Sequence, residues 1–166
     1  MNTAQVAETE FLNGKEEGGQ FLTFILANEE YGVEILRVQE IRGWSKVTPI
    51  PNSPAYLKGV INLRGAIVPI IDLRERFGMD SLDYGTTTVV IVLRVEHGEQ
   101  ERVMGLVVDA VSEVYTLSEG QCQVPPDMGS EVEEKFVKAL ASVEEKMIIL
   151  LDIDTFLNSE VSRTLN

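Results

Sequence analysis

Apolar residues along this chain come in short bursts, not in the broad stripes of amphipathic helices. FLTFILA (21–27), YGVEI (31–35), GVINL (59–63), AIVPII (66–71), TTVVIVLRV (87–95), VMGLVVD (103–109) and KMIILLDI (146–153) are rich in Val, Ile, Phe and Thr and are separated by turn residues. That pattern predicts strands. The polar stretches NEE (28–30) and EHGEQE (96–101) each join two such runs, as hairpin loops do. Helical signals are few and short. Ser53-Pro54 opens a turn at AYLK, SEVE at 130–133 has the Ser-x-x-Glu form of a capping box, and Asp72 stands as a cap before LRE.

The runs also repeat. YLKGVINLRGAIVPIIDLRERFG (56–78) slides without a gap onto FVKALASVEEKMIILLDIDTFLN (136–158) at a shift of 80, bringing Tyr56 onto Phe136, Lys58 onto Lys138 and Asp72 onto Asp152. YGVEILRVQEI matches MGLVVDAVSEV at a shift of 73, with Gly32 on Gly105 and Glu40 on Glu113, and FLTFILA matches VVIVLRV at a shift of 68. A duplicated module predicts two similar β-units of about 60–70 residues, each of five strands, packed on one another. Closed barrels would also hide the strand edges of a chain this rich in Val and Ile. The polar residues 1–19, ending in Gly18-Gly19, read as a leader outside the fold, residues 20–158 as the folded domain and 159–166 as a tail.

Composition narrows the function. The 166-residue chain carries 14 Lys and Arg against 27 Asp and Glu, a formal charge of −13 that repels nucleic acid phosphates and anionic membranes. One cysteine, Cys122, allows neither an internal disulfide nor a Cys-based metal site and fits a reducing cytoplasm. No apolar run approaches the roughly 20 residues of a membrane span.

Catalytic constellations are missing. His97 stands alone in a polar turn, with no second anchor for a triad, and Cys122 has no neighbouring histidine to activate it. Asp72 and Asp152 could be paired general acids and bases, but their equivalent places after an apolar run suit helix capping better. KGVINLRG lacks the spacing and the Lys-Ser/Thr ending of a phosphate loop. What stands out is Arg64, set between apolar runs at an Arg-Gly turn where the other repeat reads Glu-Glu-Lys. It is either a solvated rim charge or a five-donor recognition group.

Several stretches carry a family resemblance: EEYGVEILRVQEIRG (29–43), PNSPAYLKGVINLRG (51–65), AIVPIIDLR (66–74), TTVVIVL (87–93) and VMGLVVDAVSEV (103–114). Taken in order, from about Gln20 to about Asn158, they resemble the bacterial chemotaxis coupling family, CheW. The resemblance implies two five-stranded SH3-like barrels and a non-enzymatic, cofactor-free cytoplasmic adaptor. Such an adaptor, monomeric alone, links chemoreceptor tips to the histidine kinase CheA in membrane-associated arrays. It further implies receptor contacts at Val38, Glu40, Lys58, Gly59 and Arg64, with Val89 and Val90 along a groove between the barrels. Kinase contacts would fall at Gly105 in the second barrel and at Met128. Read as strand positions, Val38 and Glu40 share a face, which they would not on a helix, and Val38 is equally a candidate for the core. Gly59 acts either by keeping the surface low or simply as a backbone bend. A small-molecule-binding or hydrolytic β-domain using the inter-barrel cleft is the alternative reading.

Overall fold

A computed structural model describes residues 19–124 and 134–158. The strands, in chain order, are β1 (Gly19–Leu26), β2 (Glu29–Glu34), β3 (Val38–Gly43), β4 (Leu57–Leu63), β5 (Ala66–Asp72), β6 (Val89–His97), β7 (Gln100–Val108), β8 (Ala110–Leu117), β9 (Cys122–Gln123), β10 (Val137–Val143) and β11 (Lys146–Leu151). Leu73–Arg76 and residues 153–158 form short helices after β5 and β11. Asp72 accepts the Glu75 N–H at 3.1 Å, and Asp152 accepts the Thr155 N–H at 3.1 Å, so both aspartates are caps. Capping residue Ser130 and the rest of SEVE lie outside the described residues.

Two sheets form, in the orders β8-β1-β2-β11-β10-β9 and β3-β6-β7-β5-β4. Each is closed by the segment that follows its outer strand. Thr48, beyond β3, bridges Val60 of β4 with two 2.9 Å hydrogen bonds, and β9, beyond β8, pairs with β10. The fold is thus all-β, a six-stranded and a five-stranded SH3-like barrel.

The duplication is real down to single hydrogen bonds. The Asp72 N–H donates to the Tyr56 carbonyl at 2.8 Å, and the Asp152 N–H donates to the Phe136 carbonyl at the same distance. Ile70 pairs with Gly105 in the parallel β5–β7 ladder as Leu150 pairs with Gly32 in β11–β2. The first hairpins, however, align at 69 and not at 68. Thr23 lies opposite Gly32 and Val92 opposite Gly105, which makes Phe21 the equivalent of Val90. Both face barrel interiors, whereas a one-residue slip would have put them on opposite faces.

A second difference is larger. The repeat predicts two consecutive units, yet each barrel contains strands from both halves of the chain. The six-stranded barrel takes the β1–β2 hairpin from the first half, and the five-stranded barrel takes β6–β7 from the second. The crossings are brief: Ile35–Arg37 carries the chain from β2 to β3, and Asp109 alone carries it from β7 to β8. Equivalent segments share one apolar pattern, so the repeat by itself is silent about which copy they join.

Several elements carry weak sequence signals. β3, β8 and β10 fall outside the apolar runs, and β3 alternates half-buried with exposed residues along its whole length. In the stretch EHGEQE the strands run on until His97 pairs with Gln100, leaving a two-residue turn at Gly98-Glu99. AYLK is a turn only as far as Tyr56, because Leu57 and Lys58 begin β4.

Three apolar clusters result. One fills the six-stranded barrel around Phe21, Leu117 and Ile148; another fills the five-stranded barrel around Leu63, Ile70 and Val92. The largest lies between the barrels and includes Phe24, Ile71, Phe77, Leu93, Phe136 and Phe156. Gly105 is packed so tightly that an added Cβ would stand 2.6 Å from Ile70 Cδ1 and 2.9 Å from Val90 Cγ1.

Gly59 is buried beneath the closing segment, with φ +147° and only 2.2 Å from the Thr48 carbonyl oxygen to where a Cβ would be. A side chain there would push the closing segment off β4. Gly59→Ala is therefore expected to destabilise the fold by about 1–3 kcal/mol, read as a lowered urea midpoint at unchanged m-value.

Candidate functional site

β4 and β5 meet in a two-residue turn at Arg64 and Gly65, with φ of +52° and +89°. Two positive φ values in a two-residue loop give the turn whose twist matches the flanking strands. The Gly65 N–H donates to Asn62 Oδ1 at 2.9 Å and steadies it. The equivalent turn at Glu144 and Glu145 has φ of +48° and +68° with no glycine, so the backbone is shared and only the side chains differ.

From that turn the Arg64 side chain, 71% exposed, reaches across to β3, where Nη2 donates to Glu40 Oε2 at 2.8 Å. Arg42 Nη1 lies 3.4 Å from the other Glu40 oxygen. One carboxylate thus stands between two guanidinium groups. An exposed pair of this kind contributes under about 1 kcal/mol to stability, so its main effect is to fix where Arg64 points. Ile41 of β3 and Ile67 of β5 are also in water, 43% and 63% exposed, and Ile41, between Glu40 and Arg42, lies on the other face of its strand. Large aliphatic side chains left in water are what a protein-binding surface presents.

The other expected residues are scattered. Lys58 sits at the opposite end of β4, about 20 Å along the strand, with Nζ 2.9 Å from each carboxylate oxygen of Glu75. Val38 and Val89 are half-buried and pack on the inter-barrel core. A bulge places Val38 opposite Leu93 and Glu40 opposite Val92. Those partners face different cores, so Val38 and Glu40 do not share a face. Val90, Gly59 and Gly105 are buried and offer no contact surface. Gly105 also lies in the same barrel as Arg64, not in the other one, because the hairpins are exchanged. Met128 lies outside the described residues. Sequence reasoning did not single out the exposed Ile41 and Ile67 or the Arg42 contact with Glu40; the polar-apolar alternation of QEIRG was the one legible signal for Ile41 and Arg42 on β3.

The inter-barrel cleft is occupied by apolar core, leaving at its edge a polar cavity of about 250 Å³ lined by Glu34, Arg37, Lys138, Asp152 and Asp154, among others. Its charges are paired with one another: Lys138 with Glu34, and Arg37 with Asp154 at 2.6 Å. Burial pushes the Asp154 carboxyl above its usual range, while the Glu96 N–H and Arg37 pull it back. On the far side Arg74 Nε donates to Asp109 at 2.9 Å, a bond that raises the arginine further. Tyr84 donates to Asp72, and burial first, then that bond, drives its hydroxyl well above the normal phenol range. Among the described residues no three His, Cys, Asp or Glu side chains are placed to hold a metal, and no helix is long and apolar enough to cross a membrane.

Comparison with known proteins is unambiguous. Residues 20–161 match the family model described as CheW-like domain. The chain is 46% identical over 157 residues to the chemotaxis protein CheW of Klebsiella aerogenes, covering 95% of this chain and 92% of that protein. It is 41% identical over 143 residues to the chemotaxis protein CheW of Rhizobium meliloti, covering 86% and 90%. The crystal structure of the scaffolding protein TtCheW from Thermoanaerobacter tengcongensis superposes with a TM-score of 0.73 at 34% identity, covering 82% of this chain and 85% of that one.

Glu40→Ala separates orientation from stability at this site. The melting free energy should change by less than about 1 kcal/mol, while the Arg64 guanidinium N–H signal moves towards the position of a freely solvated arginine in NMR spectra.

Proposed function

The chain belongs to the CheW-like family of chemotaxis scaffold proteins, and we propose that it couples the cytoplasmic tips of chemoreceptors to the histidine kinase CheA without chemistry of its own. The observation that carries this reading is the arginine hairpin: an exposed Arg64 held on Glu40. A receptor tip is a helical hairpin. Its carboxylates and carbonyls would meet the guanidinium donors of Arg64.

The kinase regulatory domain would meet the six-stranded barrel. There Val114 and Met147, exposed by 51% and 46%, occupy the repeat positions of Ile41 and Ile67. Two like surfaces on two barrels let one small protein touch two partners at once, and signalling then acts through the geometry or stability of those contacts. Weak single contacts would gain strength from arraying. The protein is expected to work in the cytoplasm beside membrane-anchored receptors.

Arg64→Ala tests the assignment directly. Retention of the variant on an immobilised receptor cytoplasmic fragment should fall at least tenfold, with binding to the CheA regulatory domain and the melting temperature unchanged. Equal loss of both partners, or a melting temperature several degrees lower, would make Arg64 structural. Failure of the wild-type protein to bind either partner would remove the adaptor reading altogether.

A further inference from the structure

The hairpin exchange makes the two halves of the chain interleaved partners. Four strand ladders join residues 19–78 to residues 89–158: β1 with β8, β2 with β11, β3 with β6 and β5 with β7. Within the first half only β1–β2 and β4–β5 pair as strands, with the Thr48–Val60 bridge beside them. Either half alone would expose four strand edges and the apolar faces behind them. The centre of the molecule shows the same two-fold logic. Tyr56 and Phe136 are repeat equivalents, as are Arg76 and Phe156, and the Arg76 guanidinium lies 5.5, 5.5 and 5.6 Å from the Tyr56, Phe136 and Phe156 ring centres. Equivalent elements from the two halves pack on each other there.

A duplicated chain of this design faces a choice, because each half could also pair with a copy of itself. The charges at the two crossings bear on it, although Glu34, 3.7 Å from Arg37, stays beside it in either pairing. Where β2 passes to β3, Arg37 Nη2 donates to Asp154 at 2.6 Å; where β7 passes to β8, Asp109 accepts from Arg74 Nε at 2.9 Å. Arg74 and Asp154 are equivalents at the shift of 80, and Arg37 and Asp109 both sit in a crossing connection. Both arginines belong to the first half and both aspartates to the second. Pairing two first halves would set Arg37 against Arg74, and pairing two second halves would set Asp109 against Asp154. Each of these side chains is only 17–33% exposed, so the repulsion would be poorly screened.

We propose that residues 19–78 and 89–158 are complementary binding partners for one another, with the Arg37–Asp154 and Arg74–Asp109 bridges specifying that unlike halves join. The surface each half buries is an interaction surface, and its partner is the other half of the same chain. The connection between them is then a tether. Residues 81–83 lie exposed in it, while Tyr84 stays on its anchors, its ring tilted against Trp44 with centroids 4.3 Å apart and its hydroxyl donating to Asp72.

A protease site placed between Ser81 and Leu82 of the full chain tests this. After cleavage the two pieces should run as one particle of intact mass on size exclusion and keep the β-sheet circular dichroism of the uncut protein. They should part in guanidinium chloride and recover together on its removal, whereas neither piece recovers alone. Asp109→Arg with Asp154→Arg should weaken the association of the cut pieces at least tenfold, and adding Arg37→Asp and Arg74→Asp should recover a clear part of that loss, the Ala27 and Glu96 N–H bonds to the two aspartates staying broken. Pieces that separate on cutting under native conditions, or a single piece that folds as a dimer of itself, would overturn the proposal. A fourfold variant that stays as weak as the double one would remove the bridges from it.

Discussion

The apolar core between the barrels is the constraint on which the rest depends. Each barrel has its own small interior, yet the largest cluster lies where the two meet and takes residues from both sheets and both short helices. Burying a Leu or Phe side chain contributes about 1.5–3 kcal/mol. A barrel of five or six strands holds few of them inside, so the core between the barrels supplies a large share of the burial. The shared core forces the barrels together, and the exchanged hairpins make the union covalently continuous at two points.

That rigidity is what gives the Arg64 surface its meaning. A hairpin turn at the end of two strands is ordinarily a mobile place for a charge. Here β4 is clamped by the Thr48 bridge over Gly59, β5 is held by β7, and the guanidinium is tied to Glu40 on a third strand. The side chain is held towards Glu40 by neighbours that are themselves fixed, which would lower the ordering cost of the partner binding proposed for it. The repeat supplies a second surface with the same backbone and other chemistry, Glu144-Glu145 in place of Arg64-Gly65. Duplication followed by divergence at the turns is an economical way to build a protein with two unlike contacts.

The strand content was legible because period-two alternation and β-branched residues are local properties, and the long runs of β1, β5, β6 and β7 carry them openly. β3 and β8 carry them faintly, since they are outer strands of their sheets with few buried positions. The 69-residue offset of the first hairpins escaped because apolar residues at neighbouring positions match nearly as well at 68; only the pairing of Thr23 with Gly32 and of Val92 with Gly105 resolves it. At the site, Arg64 and Glu40 were legible as residues. Val90, Gly59 and Gly105 looked equally prominent, and nothing in their local sequence shows that all three are buried.

By itself, the sequence determined the class of fold, the duplication, the capping aspartates and the identity of the arginine at the turn, all of which rest on residues close together in the chain or on a direct match between segments. Tertiary structure alone decided which copy of each hairpin joins which barrel, that Glu40 holds Arg64 across 24 positions, and which prominent residues are core. Those outcomes depend on contacts between distant segments whose hydrophobic patterns are interchangeable. Local physics leaves such contacts degenerate, and packing of the whole chain selects among them.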